Sequence, residues 1–366
     1  MVKKILIIDD SALMRRVVSD IIETDNRLRV EAQAKNGREG LDLLLAERDR
    51  FDVVLVDLRM PVMDGLQFLT AMRLHRIKCP TIVVSTLVKE GAKETILALE
   101  KGAFDFVLKP SNSKPDTMNE FRSKLIHSIE AATKMGSGDS DRINVPGGRE
   151  LGNVRDNMVR SGKKEGRTGG GKLVAIACST GGPKALKEVI PFLSKDLDAP
   201  VVLVQHMPVG FTLSLAQRLN ELSEIQVKEA EHGEVLKKGW VYVAPGGKHI
   251  RIQTDTASQH KIMLSDESPI GGLRPCANVM YKSLTNSSFD DIVCVVLTGM
   301  GMDGTEGIRY LKKEKKIHVI AQDEKTSTVY GMPKAITSAG LSDEVIPLEK
   351  VADAISKNVG VLNNGR

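Results

Sequence analysis

Three carboxylates, one hydroxyl and one ammonium group lie where short apolar runs end in the N-terminal part of the chain. They belong to Asp9, Asp10, Asp57, Ser85 and Lys109. Crowded carboxylates repel one another unless a hard cation such as Mg²⁺ neutralises them. A carboxylate near such a cation can attack phosphorus and form an aspartyl phosphate, and a lysine and a hydroxyl could hold the phosphoryl oxygens. Acidic residues also close strands as turn formers, but this matched set favours a phosphoryl site.

A serine, a histidine and an aspartate follow three further apolar runs in the C-terminal half. Ser179 lies in a Ser-Thr-Gly-Gly-Pro turn ahead of a helical pattern, where backbone amides and the helix dipole favour developing negative charge. His206 ends the next strand and could act as general base toward Ser179. Asp303 lies in a glycine-rich loop after a third strand and could orient His206. Backbone amides of that loop, Met300 in particular, could form an oxyanion hole.

Each member of this second set also has a structural interpretation that the sequence leaves open. The Ser179 turn could cap a helix or bind a phosphate, and Asp303 is a suitable N-cap for the helix that follows it. A histidine that ends a strand is more often structural than catalytic, and His249, after a Pro-Gly-Gly turn, is the rival base. The remaining histidines have charged or polar neighbours and are predicted to lie at the surface: His75, His127, His232, His260 and His318.

Cys178 is an alternative nucleophile because it directly precedes Ser179. A residue that ends a buried strand more often points into the core, so we favour Ser179. The order Ser, His, Asp differs from the order Ser, Asp, His of the α/β-hydrolases, and Ala177 breaks their G-x-S-x-G elbow. The sequence therefore disfavours a lipase-like hydrolase.

Strands that alternate with amphipathic helices must position both sets of residues. Over about 130 residues this alternation predicts a parallel sheet with helices on both faces. In such sheets ligands collect beyond the carboxyl ends of the strands. Ser11 is the predicted N-cap of the first helix, and Pro183 falls in the first turn of the helix after Ser179, a position that suits proline.

The stretch 134–172 differs in composition from both halves and is predicted to be a flexible linker. It holds nine Lys or Arg residues against five Asp or Glu residues, ten of the 32 glycines and no aromatic residue. It cannot bury enough apolar area to offset the entropy lost on ordering. Its charge supplies most of the net charge of +5, and we interpret it as favouring solubility. The predicted divisions are a domain at 1–133, the linker at 134–172 and a domain at 173–366.

Composition excludes several other classes of protein. The chain of 366 residues is 41% hydrophobic and 27% charged, and no apolar run approaches the roughly 18 residues of a membrane helix. The N-terminus lacks the features of a signal peptide. The four scattered cysteines form no CxxC pair, as expected in a reducing compartment. We therefore expect a cytoplasmic protein without membrane insertion, and nothing in the sequence demands more than a monomer.

The N-terminal domain, from residue 1 to about 130, resembles a response-regulator receiver domain. The resemblance rests on Asp9 with its neighbouring aspartate, on Asp57 within Val-Asp-Leu-Arg-Met-Pro-Val-Met-Asp-Gly, on Ser85, and on Lys109 followed by proline. It implies a flavodoxin-like, doubly wound α/β fold in which Asp57 accepts a phosphoryl group from a histidine kinase.

The same resemblance assigns the residues around Asp57. Mg²⁺ would lie on Asp10, Asp57 and the backbone carbonyl of Arg59, with Asp9 nearby. Ser85 and Lys109 would sense the phosphoryl group, and Phe106 would be the switch aromatic residue.

The C-terminal domain resembles the catalytic domain of chemotaxis protein-glutamate methylesterases. The similarity lies between about 173 and 359, in the segments 175–183, 205–208, 243–247, 274–275, 297–304, 321–323 and 331–333. It implies a second, Rossmann-like α/β domain with Ser179 as nucleophile, His206 as base and Asp303 as the orienting carboxylate. Thr180 and Met300 would assist the site.

Together the two resemblances imply an enzyme of sensory adaptation. It would hydrolyse glutamate γ-methyl esters on methyl-accepting chemotaxis receptors with release of methanol, and would also deamidate receptor glutamines. A chemotaxis histidine kinase would be the phosphodonor, the unphosphorylated receiver would cover the active site, and only the receiver would need Mg²⁺.

Two positions depart from the family pattern. Ala177 replaces a common glycine, which could tighten the turn, and Cys276-Ala277 replaces an expected Ser-Val, which could alter substrate contacts.

Two other functions are weighed against this one. A response regulator whose C-terminal domain is a non-catalytic binding module would use the glycine-rich loops at 181–182 and 299–304 to cradle a phosphate. A DNA-binding regulator is disfavoured because the roughly 195 residues after Lys172 exceed a single helix-turn-helix module. The charge outside the linker is also close to balanced. We therefore expect no nucleic-acid partner.

Overall fold

The computed structural model describes residues 2–86, 89–110, 115–136, 171–255 and 259–362. It contains one parallel sheet before the predicted linker and another after it. Most of that linker (137–170) lies outside the described residues. Within the described ranges, every helix is too short or too polar to cross a membrane.

The N-terminal domain is a doubly wound α/β unit. Its elements are β1 Lys3–Ile8, α1 Ala12–Ile22, β2 Leu28–Ala34, α2 Gly37–Ala46, β3 Val53–Asp57, α3 Gly65–Leu74, β4 Thr81–Ser85, α4 Lys89–Glu100, β5 Asp105–Leu108 and α5 Pro115–Gly136. The strand order is β2-β1-β3-β4-β5, with parallel pairing throughout. The chain leaves β1 for β2 on one side and returns to β3 on the other. The carboxyl ends of β1 and β3 therefore flank the crevice where such sheets bind ligands.

The C-terminal domain is a second parallel α/β unit with an added hairpin. Its elements are β6 Lys172–Cys178, α6 Gly182–Val189, β7 Val201–Gln205, α7 Phe211–Leu222, β8 Gln226–Glu229, β9 Trp240–Val243, β10 His249–Thr254, β11 His260–Ser265, α8 Ala277–Ser283, β12 Asp291–Val296, α9 Thr305–Glu314, β13 Ile317–Gln322, α10 Met332–Ser338, β14 Glu344–Ile346 and α11 Val351–Val359. The sheet order is β14-β13-β12-β6-β7-β9-β8, and β10 pairs antiparallel with β11. Because β6 lies between β12 and β7, the loops after these three strands meet at one edge.

Alternate side chains of each strand face opposite apolar cores. One face of the N-terminal sheet, including Ile5 and Leu55, packs against α1 and α5. The other face, including Leu6, belongs to an apolar cluster that continues into the C-terminal domain and includes Val174 and Ile176 of β6. Helix α4 packs against α6 and α7. Burial of apolar surface, which contributes about 25 cal/mol per Å², thus joins the two domains.

The predicted fold class is confirmed in both halves, and so are two predicted helix starts. Ser11 accepts a hydrogen bond from the Met14 N–H at 3.3 Å as N-cap of α1, and Pro183 lies in the first turn of α6.

Two element ends differ from the predicted divisions. Helix α5 continues past residue 133 to Gly136, because lysine and methionine at 134 and 135 are good helix formers and glycine often ends a helix. Strand β6 begins at Lys172, whose Nζ donates to Asp198 at 3.0 Å and to the Val359 carbonyl at 2.7 Å. The division into domains and linker stays a prediction.

Candidate active site

Ser179 follows β6 in a turn that buried groups hold in place. Its backbone N–H donates to the Thr298 carbonyl at 3.0 Å. Its carbonyl accepts from the Gly182 N–H at 2.7 Å and from Gln205 Nε2 at 3.0 Å. A Cβ on Gly182 would lie 1.9 Å from Gln205 Oε1, so only glycine fits there. The turn thus places Ser179 beside the N-terminus of α6, as the sequence predicts.

His206 follows the neighbouring strand β7 and pairs with Asp303. His206 Nε2 lies 2.8 Å from Asp303 Oδ2, and the two side chains are 8% and 5% exposed. Burial raises the pKa of Asp303, but the hydrogen bond and charge of His206 and the N–H groups of Ala277 and Asn278 outweigh it and hold the pKa at about 2. Asp303 is therefore ionised at neutral pH. With the Nε2 proton directed at this carboxylate, Nδ1 is the ring nitrogen that can accept a proton.

The alternative role that the sequence left open for Asp303, as the N-cap of its own helix, is not the one the structure shows. The N-cap of α9 is Gly304, which has a φ of 98° and supplies no side chain. The Asp303 carboxylate instead accepts the N–H of Ala277 at 2.6 Å and that of Asn278 at 3.0 Å, at the start of α8. The positive φ of Gly304 turns the chain between Asp303 and α9, which lets the carboxylate face α8.

The structure brings the three predicted catalytic residues to one edge of the sheet. The backbone N–H of His206 donates to the Cys178 carbonyl at 3.1 Å, so the Ser179 and His206 turns are adjacent. Within the described part of the chain, the side-chain partner of His206 is Asp303, and no hydrogen bond joins His206 to the Ser179 hydroxyl.

The two predicted supporting residues both touch the N-terminal domain. Thr180 Oγ1 donates to Oδ2 of Asp105, on β5, at 3.2 Å. Met300, in the loop after β12, packs against the apolar cluster of the N-terminal domain that includes Ile5. The N-terminal domain therefore lies directly against the candidate site.

Cys178 is poorly placed to be the nucleophile. Its side chain is fully buried and donates to Gln205 Oε1 at 3.0 Å. Burial raises the pKa of its thiol well above the ordinary value, so little thiolate forms at neutral pH. The prediction that this side chain points into the core is confirmed.

The departure from the family pattern at Cys276 lies beside Asp303, and its effect on substrate contacts stays a prediction. Cys276 is buried, and its thiol donates to Asp303 Oδ1 at 3.2 Å. Burial and the neighbouring Asp303 charge raise its pKa to about 12. The departure from the family pattern therefore changes a contact of Asp303, because the side chain faces that carboxylate.

His249, the rival base, is fully buried, and its Nε2 lies 3.2 Å from the Ser268 carbonyl. Three of the histidines predicted at the surface are exposed: His75, His127 and His232. The other two are half-buried, because His260 stacks on Phe289 with ring centroids 3.5 Å apart and His318 lies 2.7 Å from Glu344.

Sequence reasoning missed three buried polar residues that shape the site. Gln205 Nε2 bonds the carbonyls of Ser179 and His206 at 3.0 and 3.2 Å. Thr298 Oγ1 donates to the Thr180 carbonyl at 2.9 Å, and Gln322 Oε1 accepts the Thr298 N–H at 2.8 Å. A signal was present, since each of the three ends an otherwise apolar strand run. Buried polar side chains of this kind satisfy backbone groups that would otherwise lack partners.

The residues predicted for phosphoryl chemistry meet at the carboxyl ends of the N-terminal strands. Lys109 Nζ lies 2.8 Å from Asp9 Oδ2 and 2.8 Å from Asp57 Oδ2. Burial raises the pKa of Asp57, while the Lys109 charge opposes that rise. Oxygen atoms of Asp9, Asp10 and Asp57 lie within 4.8 Å of one another. Clustered carboxylates are the donor set that a hard divalent cation prefers, so these residues fit Mg²⁺.

Two predicted members of this site are oriented by α4. Ser85 is buried, and its hydroxyl accepts from Thr95 Oγ1 at 3.0 Å. The Arg59 side chain donates to Glu94 of α4 at 3.0 Å.

Two further contacts join the domains. Phe106 on β5 stacks on Phe211 of α7, with ring centroids 4.9 Å apart and an interplanar angle of 19°. Glu100, at the end of α4, lies 2.8 Å from Arg218 on α7 and 3.8 Å from Lys187 on α6. The predicted switch aromatic residue therefore contacts the C-terminal domain.

Comparisons with known proteins match both halves of the chain. A family model described as the response regulator receiver domain matches residues 5–119, and one described as CheB methylesterase matches residues 174–355. Protein-glutamate methylesterase/protein-glutamine glutaminase 1 of Syntrophomonas wolfei subsp. wolfei is 39% identical over 358 residues, covering 96% of this chain and 98% of the relative. The protein-glutamate methylesterase/protein-glutamine glutaminase of Pyrococcus horikoshii is 42% identical over 363 residues, covering 99% of this chain and 95% of the relative.

Two solved structures from Thermotoga maritima are also similar. The CheB methylesterase catalytic domain is 41% identical with a TM-score of 0.49, covering 51% of this chain and 98% of that one. The response regulator domain of CheB is 34% identical with a TM-score of 0.33, covering 37% of this chain and 98% of that one.

Proposed function

The chain belongs to the family of protein-glutamate methylesterases/protein-glutamine glutaminases, and we propose that it demethylates glutamate γ-methyl esters on methyl-accepting chemotaxis receptors, releasing methanol. The same site would deamidate receptor glutamines. The observation that carries the proposal is the buried pair of His206 and Asp303, 2.8 Å apart, beside the Ser179 turn. This chemistry needs no metal, and we propose that the protein acts in the cytoplasm as a monomer without a nucleic-acid partner.

In the proposed mechanism Ser179 attacks the ester carbonyl while His206 takes the hydroxyl proton. The bond to the methoxy group breaks, and His206 returns the proton to release methanol. Water, activated by His206, then hydrolyses the acyl-enzyme to give glutamate and restore Ser179. Asp303, ionised because its pKa is about 2, stabilises the imidazolium. The Met300 amide and Thr180 support the oxyanion.

The receiver would be phosphorylated at Asp57 by a chemotaxis histidine kinase. Asp10, Asp57 and the Arg59 carbonyl would hold Mg²⁺ with Asp9 nearby, an assignment that the close approach of the three carboxylates supports. When bound, the ion neutralises charge on the incoming phosphoryl group. The oxygens of that group would then be held by Ser85 and Lys109.

Receiver docking would repress the esterase. The hydrogen bond between Thr180 and Asp105, and the stacking of Phe106 on Phe211, support a closed arrangement in which the receiver keeps substrate away. Phosphorylation at Asp57 would shift the population toward an open arrangement.

Methanol release from methylated receptor membranes tests the catalytic proposal. Wild type and Ser179→Ala are compared, each with and without a small phosphodonor plus Mg²⁺. We expect the donor to stimulate the wild type and the substitution to lower kcat by about four to six orders of magnitude. Cys178→Ala is the matched control and should retain most of the activity, because it removes only a weak S–H hydrogen bond to Gln205, whose Nε2 keeps its bonds to the carbonyls of Ser179 and His206.

Two results would contradict the proposal. Activity that survives in Ser179→Ala but not in Cys178→Ala would move the nucleophile to the cysteine. No activity in any sample would favour the alternative in which the C-terminal domain is a binding module.

A further inference from the structure

Helices α8 and α9 exchange their N-terminal caps. Asp303, just before α9, accepts the N–H groups of Ala277 and Asn278 at 2.6 and 3.0 Å, at the start of α8. In return, Asn278 Oδ1 accepts the N–H groups of Gly304 and Gly307 at 3.1 and 2.6 Å, at the start of α9. Neither helix receives a cap from the side chain of its own N-cap residue.

The donors fix the orientation of the Asn278 side chain. The side-chain amide atom of Asn278 that faces α9 has two backbone N–H groups as partners. Because an N–H group only donates, that atom is the side-chain oxygen Oδ1 and not the nitrogen. The helices are also in close contact, because a Cβ on Gly307 would lie 2.9 Å from the Asn278 Cα and carbonyl oxygen. The start of α9 therefore has a fixed position against α8.

We propose that Asn278 is a positioning residue for the pair of His206 and Asp303. The proposal rests on the proposed esterase function. The Gly304 N–H is shared between Asn278 Oδ1 and Asp303 Oδ1, which it reaches at 2.9 Å. Without the Asn278 oxygen, this shared N–H and that of Gly307 lose an acceptor, and the turn that carries Asp303 loosens. Small displacements at a proton-transfer site have large effects on rate.

Three variants separate positioning from general stability. Asn278→Ala removes the acceptor. Asn278→Asp keeps an acceptor oxygen for the N–H groups of Gly304 and Gly307 and adds a negative charge on the side chain that shares the Gly304 N–H with Asp303. Ser283→Ala is the matched control, because Ser283 Oγ accepts the Ile252 N–H at 3.0 Å at the far end of α8, and its loss removes the same kind of bond without touching Asp303.

Two rates are measured on the full chain with phosphodonor and Mg²⁺. One is methanol release from receptor membranes, and the other is labelling by a fluorophosphonate. In the labelling step Ser179 Oγ forms a bond to phosphorus, fluoride leaves, and the hydroxyl proton passes to His206. Labelling therefore reports on the catalytic residues independently of the receptor.

We expect Asn278→Ala to lower kcat and the labelling rate by about 10- to 100-fold, with KM within about two-fold of wild type. Ser283→Ala should change kcat and the labelling rate by less than about two-fold. Asn278→Asp should restore kcat to within about five-fold of wild type.

Equal kcat in Asn278→Ala and Ser283→Ala, at a matched loss of Tm, would overturn the proposal. So would an Asn278→Asp protein with wild-type Tm and the low kcat of Asn278→Ala. Wild type that releases no methanol and reacts with no fluorophosphonate would overturn the proposed function, and this inference with it.

Discussion

The ionisation of a single residue, Asp303, connects the candidate active site to the stability of the fold. Its pKa is about 2, below the ordinary value of 3.8. A carboxyl group whose pKa is lowered by folding contributes stability above its unfolded pKa, and that contribution is lost as the pH falls through the folded value. A shift of nearly two units corresponds to about 2 kcal/mol. The contacts that orient His206 therefore also stabilise the C-terminal domain.

Asp303→Asn tests this connection. We expect its free energy of unfolding to be about 2 kcal/mol below that of wild type at neutral pH, and the difference to shrink between about pH 4 and pH 2 as Asp303 takes up a proton. Urea unfolding at a series of pH values measures the difference. Asp291→Asn, at an exposed position at the start of β12, is the control. A difference that does not change with pH would contradict the assignment of the low pKa to Asp303.

The sequence was sufficient to predict that Ser179, His206 and Asp303 lie at one edge of the sheet, because each follows an apolar strand run. The sequence did not predict the hydrogen-bond partners that hold these three side chains in place. The partners of Asp303 at Ala277 and Asn278 come from a helix that precedes it in the chain, and only the folded packing of α8 against α9 brings them together. Asp303 also matches the local pattern of an N-cap, so the sequence alone left open the alternative that it caps α9.

At the scale of elements, α4 contacts both Ser85, in the candidate phosphoryl site, and the C-terminal domain. Near its middle, Thr95 donates to Ser85 at 3.0 Å, and at its end Glu100 bonds Arg218. If Ser85 turns toward a phosphoryl oxygen, its hydrogen bond with Thr95 is lost. Helix α4 is therefore placed to change its position against α7 when Asp57 is modified.

Arg218→Gln tests the contribution of α4 to repression. A partly exposed ion pair contributes about 0.2 to 1 kcal/mol, so we expect methanol release without phosphodonor to rise by about two- to five-fold. Lys228→Gln is the control, because Lys228 forms its ion pairs with Glu231 and Glu234 within the C-terminal domain. If Arg218→Gln is no more active than Lys228→Gln, this ion pair does not hold the domains closed.

At the scale of the whole molecule, the two domains meet at the candidate active site. We expect removal of residues 1–150 to raise methanol release without phosphodonor by about ten-fold, because Thr180 and Met300 lose their contacts with the receiver. The phosphorylated full chain gives the comparison value, and circular dichroism verifies folding. A folded truncated enzyme no faster than the unphosphorylated full chain would show that occlusion is wrong.

The resemblance implied that the receiver covers the active site, but the sequence did not predict which residues of the two domains meet. The stretch at 134–172 is rich in charge and glycine, and such a composition imposes no geometry on the domains it connects. The residue types at the contact do not mark it as an interdomain surface either. Asp105 and Phe106 belong to a strand pattern, and Phe211 begins an ordinary amphipathic helix.

The apolar cluster that continues from the receiver sheet into β6 should make the population of the closed arrangement depend on temperature. Opening exposes apolar side chains to water, and the hydrophobic free energy that opposes this exposure weakens on cooling. The closed fraction should therefore fall in the cold, and methanol release without phosphodonor, expressed relative to the phosphorylated enzyme, should be greater at low temperature. Adaptation would then respond to temperature through these buried side chains, in addition to its control by phosphorylation.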